Sequence, residues 1–293
     1  MKKIFALLLS LLMVFSLVAC GTDTELQAPN DVNGVTTTPA TDNVPTTATI
    51  SEMVLLDQDG IKITAKSLDL EGWMGPEIKV LIENNTDKNL SFQTRSSSVN
   101  GYMVETMFHT EVAAGKKVNE SIVLSFSDLD LCGITNLATI EFSFHIFYTE
   151  TWNEYLDTDI ITINTSLADT HVQNYDASGD VAYDVNGIKI VIKGLADESL
   201  FGPSIVFYAY NTNDKAVTIQ VRSVSINGFM IDPICSADLA PGKHLVDTIT
   251  FMDSDLEENE ITSIESVELS FHIYTADDWL EAIDTDPITI TFN

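Results

Sequence analysis

Apolar and polar residues alternate in short runs along most of the chain, and turn-forming residues separate the runs. "IKITAKSL" (61–68) and "IKIVIKGL" (188–195) each follow an Asp- or Asn-containing turn that ends in Gly. "PEIKVLIENN" and "PSIVFYAYNT" come next, each just after a Gly-Pro pair. "LSFQTRSSSV" and "VTIQVRSVSI" then run into Asn100-Gly101 and Asn227-Gly228. Asn-Gly between alternating runs is a strong hairpin signal, because both central residues of a type I′ turn need positive φ. With turn signals every 8–15 residues or so, the pattern predicts about seven strands per unit, packed as a β-sandwich.

The pattern occurs twice. Residues 55–165 align with 182–292 at a constant offset of 127 without a gap, and 43 of the 111 positions are identical. That period is too long for a solenoid and fits two domains duplicated in tandem. The expected fold is therefore all-β: two immunoglobulin-like sandwiches, 51–166 and 182–293, joined by a polar linker over 167–181. Two short helices per unit are expected as well. Ser127-Asp128-Leu129-Asp130 and Ser254-Asp255-Leu256-Glu257 place a capping Ser three residues before a carboxylate. "TETWNEYL" and "TADDWLEAI" read as one- to two-turn helices that lay Trp152 or Trp279 on the sandwich.

One closely repeated stretch is "EFSFHI" (141–146), which returns as "ELSFHI" (268–273). In a strand, alternate side chains share a face. Ile140, Phe142, Phe144 and Ile146 fall on one side, as do Val267, Leu269, Phe271 and Ile273. Burying four such side chains contributes about 1.5–3 kcal/mol each, so core packing accounts for the repetition. His145 and His272 fall on the other face, where cross-strand hydrogen bonding is the expected role. The repeated hexapeptide reads as scaffold.

The first residues follow a different pattern. Two lysines precede an apolar run from Ile4 to Val18, too short to cross a bilayer and shaped like the core of a signal peptide, which predicts a leader over 1–19. Its end, Leu17-Val18-Ala19-Cys20-Gly21, resembles the lipobox of bacterial lipoproteins. That resemblance implies a mature chain beginning at a lipidated Cys20, held at the extracytoplasmic face of the membrane by its acyl chains. Residues 20–50 are rich in Thr, Pro, Asp and Asn and read as a disordered tether.

Charge narrows the partners. Asp and Glu number 44 against 14 Lys and Arg, for a net charge of −30, and two of the lysines lie in the leader. Phosphate binding needs a basic surface, so nucleic acid is excluded as a partner. Apart from Cys20, the cysteines are Cys132 and Cys235, at non-equivalent places in the two repeats. No disulfide framework within a repeat follows, and buried thiols are the expectation.

The order strand, N-x-x-D-K, strand, Asn-Gly, strand, A-[AP]-G-K, strand resembles the telokin-like, immunoglobulin-like domain of many surface lipoproteins of Gram-positive bacteria. The likeness covers both repeats. It implies an extracellular β-sandwich and supplies no catalytic residues.

Two groups of residues stand out as candidate sites. Trp73-Met74 and Leu200-Phe201 each precede a Gly-Pro pair in the loop before the second strand. Large apolar residues there form an adhesive tip or fold back over the open end of the sandwich. Asp57, Asp59, Asp157, Asp159, Asp184, Asp284 and Asp286 sit in repeated acidic turns of a kind that ligates calcium, although no EF-hand order is present. The other use of such residues is turn initiation. G-x-S-x-G, H-E-x-x-H and Gly-rich phosphate-loop motifs are all missing, so no enzyme and no cofactor are expected. The sequence thus points to a lipid-anchored, non-enzymatic module that binds an unknown envelope or extracellular protein. A calcium-stiffened adhesive or spacer rod, or an accessory lipoprotein of a transporter, is the alternative.

Overall fold

Both Asn-Gly turns adopt the left-handed backbone that their residues favour: φ is 50° and 85° at Asn100 and Gly101, and 51° and 89° at Asn227 and Gly228. The computed structural model describes residues 24–28, 48–196, 201–275 and 278–292. Leader residues 1–19 and Cys20 lie outside them. The fold is all-β, with only two short helices among the described residues.

Repeat 1 is a sandwich. One sheet runs, in spatial order, Met53–Gln58, Ile61–Asp69, Glu77–Asn84, Lys117–Leu124 and Thr106–Met107. The other centres on Thr139–Tyr148, which pairs with Leu90–Val99 on one side and with Glu154–Asp157 and Ile161–Asn164 on the other. Repeat 2 repeats this plan, with Ser266–Thr275 central to its second sheet. The eight inward residues of the repeated hexapeptide strands are all buried, as the alternation requires.

The N-x-x-D-K motif is a staple. Asn84 is fully buried; its amide donates to the Lys88 and Val112 carbonyls at 2.8 Å, and its Oδ1 accepts from Thr86 N. Asn211 does the same with Lys215, Leu239 and Asn213. Both Gly-Pro loops need their glycine. Gly75 and Gly202 sit at φ +136°, where a Cβ would run into the carbonyl oxygens of Leu124 and Phe251.

Four expectations need correcting. "TETWNEYL" and "TADDWLEAI" are not helices: Glu154–Asp157 and Asp278–Asp284 are strands that extend the second sheets. The central strand would otherwise expose an unpaired edge, and that pairing outweighs a weak helical spacing. Trp152 sits in the turn at φ 60° and stacks on Phe147 of the outer face at 5.3 Å. Second, the helix in repeat 1 spans Phe126–Leu131, so Ser125, not Ser127, is the cap and accepts from Asp128 N. Third, helix Asp253–Glu258 has Met252 at its cap position and no side-chain cap, so Ser254 caps nothing. Fourth, part of the tether is a strand.

Thr24–Ala28 pairs in parallel with Ile288–Phe292, from Thr24 opposite Ile288 to Ala28 opposite Phe292. Leu26 packs against the core of repeat 2. Repeat 1 closes the corresponding edge with its own leading residues: Ala48 is buried in its core, and Thr49 and Ser166 exchange two hydrogen bonds. The segment ahead of repeat 2 is committed elsewhere, so the N-terminal residues supply the strand. Leu26→Asp is expected to lower the stability of repeat 2 by about 1–3 kcal/mol and leave repeat 1 unchanged. Faster amide exchange confined to 288–292 checks it.

The two repeats share a sheet. Tyr102–Met103, which follows the Asn100-Gly101 turn, lies between Leu90–Val99 and His244–Thr250 of repeat 2, joining one sheet from each sandwich into ten strands. The cores interlock. Val191 and Tyr208 of repeat 2 belong to the core of repeat 1, and Met103 of repeat 1 packs on that of repeat 2. The linker contributes as well: the Tyr175 hydroxyl donates to the Asn100 carbonyl at 2.8 Å, and Lys193 bonds Asp176 at 2.6 Å.

Candidate functional site

The exposed loop tips come first. Trp73 is 94% exposed and Met74 49%, so neither folds back over the sandwich. Their backbone is nevertheless fixed, with Phe126 N donating to the Met74 carbonyl at 3.2 Å and Gly75 N to Gly72 O at 3.2 Å. Phe201, at the equivalent place in repeat 2, is also exposed, and its carbonyl accepts from Asp253 N at 3.0 Å. Leu200 lies outside the described residues.

The acidic turns do not converge. Among the described residues, no three His, Cys, Asp or Glu side chains come together so as to hold a metal ion. Asp57 and Asp184 face Lys62 and Lys189 at 3.6 and 3.7 Å. Asp157 binds His145 Nδ1, and Asp284 binds His272 Nδ1 at 2.7 Å. Asp59 sits at φ 49° in a turn, and its carbonyl accepts from the Tyr155 hydroxyl at 2.6 Å. Asp159 and Asp286 lie two residues ahead of strands Ile161–Asn164 and Ile288–Phe292 and, among the described residues, belong to no group that would make a cation site. The outward histidines are thus paired across strands to two of the aspartates that the sequence offered for calcium.

Sequence reasoning missed the contact between the repeats. His244 stacks on Tyr175 at 3.6 Å and on Tyr210 at 4.2 Å, and its Nδ1 bonds the Tyr208 hydroxyl at 2.6 Å. Tyr102 is buried edge-on to the same imidazole, and His244 N donates to the Gly101 carbonyl at 2.9 Å. Lys243 pairs with Glu141 beside them. Burial first, and then the Lys243 ammonium, hold the His244 imidazole down at about 4, so it is neutral.

Beside this cluster lies a cleft of about 780 Å³ between the repeats, lined in part by Arg95, Glu105, Asp128, Asp238 and Asp247. Asp247 is pushed up to about 7, chiefly by burial and then by the charges of Asp128 and Glu105. Burial raises Glu105 and Asp128 too. Asp128 is also structural: it accepts from Glu105 N at 2.7 Å and from Ser125 Oγ at 2.9 Å. These carboxyls place like charges across a domain contact, which makes the contact sensitive to pH. Cys132 is buried and Cys235 partly so, both are free, and burial raises both thiols, Cys235 to about 12. Neither is a reactive thiolate at neutral pH.

No family model matches the chain. No curated protein matches it either. Among solved structures it is similar to a Porphyromonas gingivalis W83 protein of unknown function, at 10% identity over 74% of this chain and 90% of that one, with a TM-score of 0.21. It is also similar to the YadV chaperone, at 11% identity over 71% and 90% of the two chains, TM-score 0.23. A Salmonella enterica SafA pilin–SafB chaperone complex matches at 13% identity over 73% and 88%, TM-score 0.19. Likenesses this slight carry no argument about what the chain does.

Proposed function

We propose that this protein is a lipid-anchored, non-enzymatic interaction module of the bacterial cell envelope, held at the extracytoplasmic face through acyl chains on Cys20. The anchor rests on the leader pattern and the lipobox-like end at Cys20. The telokin-like kinship rests on the turn motifs, whose buried Asn staples explain why both repeats keep them. Strand Thr24–Ala28 adds a geometric consequence. Thr24 lies four residues beyond Cys20, a reach of about 14 Å at full extension, so the anchor is tied to repeat 2 and not to the end of a long tether.

The observation that carries the binding role is Trp73. An indole 94% exposed on a loop whose backbone is pinned costs little entropy to bury, and aromatic anchors of this kind dominate protein interfaces. Aspartates that are used in ion pairs and turns support this reading over a calcium-stiffened rod. The test uses mature chain immobilised and exposed to envelope extract. A partner held by wild type and lost at least tenfold by Trp73→Ala with Met74→Ala is the expected result. Equal retention by the double variant, or no retained protein at all, contradicts the role given to this tip.

A further inference from the structure

The contact between the repeats exists in one copy, but half of it is present twice. Repeat 1 docks through its Asn100-Gly101 turn, the strand Tyr102–Met103 and the carboxylate of Glu141. The same elements recur 127 residues later as Asn227-Gly228, Phe229–Met230 and Glu268. The second hairpin has the same turn geometry and pairs with Val217–Ile226 in the same way. In repeat 1 the hairpin is covered: a Cβ at Gly101 would press on the Tyr175 hydroxyl, and Tyr102 is buried. In repeat 2 none of the described residues covers it in this way. A Cβ at Gly228 meets nothing within 4 Å, Phe229 is 49% exposed and Met230 68%. Among the described residues Phe229–Met230 is moreover the last strand of its sheet, with one backbone edge facing no other strand. The exposed side chains of Ile234 and Phe201 stand at the same end of the sandwich, since Ile234 bridges Thr250 and Thr250 pairs with Ser204.

We infer that this end of repeat 2 is a docking surface for a β-sandwich domain of another protein, one whose edge strand opens with a basic residue followed by an aromatic or imidazole side chain. The contact between the repeats is the template. Lys243-His244 opens the strand that receives repeat 1: the lysine meets Glu141, the ring meets Tyr102, and the backbone meets Gly101. Glu268, Phe229 and the Asn227-Gly228 turn offer those three complements again, on an open strand edge of the kind that augments a partner's sheet.

A second copy of this chain does not fit. Its own His244 edge is already occupied by repeat 1. The equivalent edge in repeat 1 carries Lys117, ion-paired to Glu83, where repeat 2 has His244 stacked on Tyr210. A charged pair in place of an aromatic stack turns that edge away from Phe229. The inference deepens the reading as an interaction module but depends on neither the lipid nor the Trp73 tip, so failure of either leaves it standing.

The test supplies an edge of the stated chemistry. The mature chain is extended at its C-terminus by a second copy of residues 167–292, so that a new Lys243-His244 edge follows the free hairpin at high local concentration. Amides 228–231 are expected to exchange at least tenfold more slowly than in the unextended chain. That protection should vanish on Phe229→Asp or Glu268→Lys in the original repeat, and when the added copy carries His244→Lys. In a second format, a synthetic peptide covering 242–251 is added in millimolar excess to the unextended chain, which removes any dependence on folding of the added repeat. Protection in neither format overturns the inference. Concentration-dependent dimerisation of the unextended chain that protects 228–231 overturns it too, since the occupant is then a second copy.

Discussion

Phe144→Ala is expected to cost about 3–5 kcal/mol of stability, and Phe271→Ala the same in repeat 2, because each ring is fully buried and its removal leaves a cavity. Phe144 touches Phe142 and Phe108 edge-on at 5.3 and 6.2 Å, and Phe271 faces Phe207 at 6.5 Å. His145→Gln and His272→Gln are expected to cost below about 1 kcal/mol, since each loses one partly exposed pairing with an aspartate. Denaturant midpoints of the four variants separate the two accounts of the repeated hexapeptide. A histidine variant as damaging as a phenylalanine variant would mean that the strand serves more than packing.

The second large effect concerns pH at the contact between the repeats, where two groups three residues apart pull in opposite directions. His244 is held near 4 in the fold against about 6.5 in the unfolded chain, so the unfolded state binds the extra proton between those values. Its contribution is fully present above 6.5 and is lost as pH falls toward 4. Asp247 is raised to about 7 against 3.8, so the folded state holds the extra proton. Its contribution is fully present below 3.8 and is lost as pH rises through 7. Across roughly pH 4 to 6.5 the two slopes oppose each other, each at most about 1.4 kcal/mol per pH unit and less after solvent screening. Wild type is therefore expected to show a shallower dependence than either variant. Relative to wild type, Asp247→Asn should gain stability as pH rises from 4 to 7, and His244→Phe, which keeps a ring against Tyr175 and Tyr210, should gain as pH falls from 6.5 to 4. Denaturant midpoints at half-unit pH intervals measure both differences. Parallel profiles for all three chains would mean that neither group titrates differently on folding.

Local chemistry made most of the fold readable. Asn-Gly and Asp-Gly turns, the alternation in "EIKVLIEN" and the inward rows of the hexapeptide all act within one hairpin, and each took the expected form. What failed depended on sheet edges that needed a partner, one next door in the chain and one at its far end. Glu154–Asp157 became a strand because Thr139–Tyr148 had an edge to fill, and Thr24–Ala28 because repeat 2 had one. No period in a segment as short as the five residues TELQA announces such a role.

The contact between the repeats did leave a trace. Where repeat 1 alternates in "EIKVLIEN", the matching "SIVFYAYN" of repeat 2 is almost continuously apolar and aromatic, and it is buried on both faces. A strand covered on both sides reads this way, and the difference between two copies of one domain marks where the other domain lies. The Trp73 tip was legible as a pair of large residues before Gly-Pro. Its exposure was not, because folding back and standing out use the same residues.

The central claim is that the shared sheet and the His244 cluster make the two repeats one body, so that the Trp73 tip and the free end of repeat 2 are held in fixed relation. Residual dipolar couplings from the mature chain, measured in both repeats and fitted together, test it most directly. One alignment tensor describing 51–165 and 182–292 with equal magnitude and orientation is the predicted result. Two tensors of different magnitude would show the repeats moving independently and would contradict it.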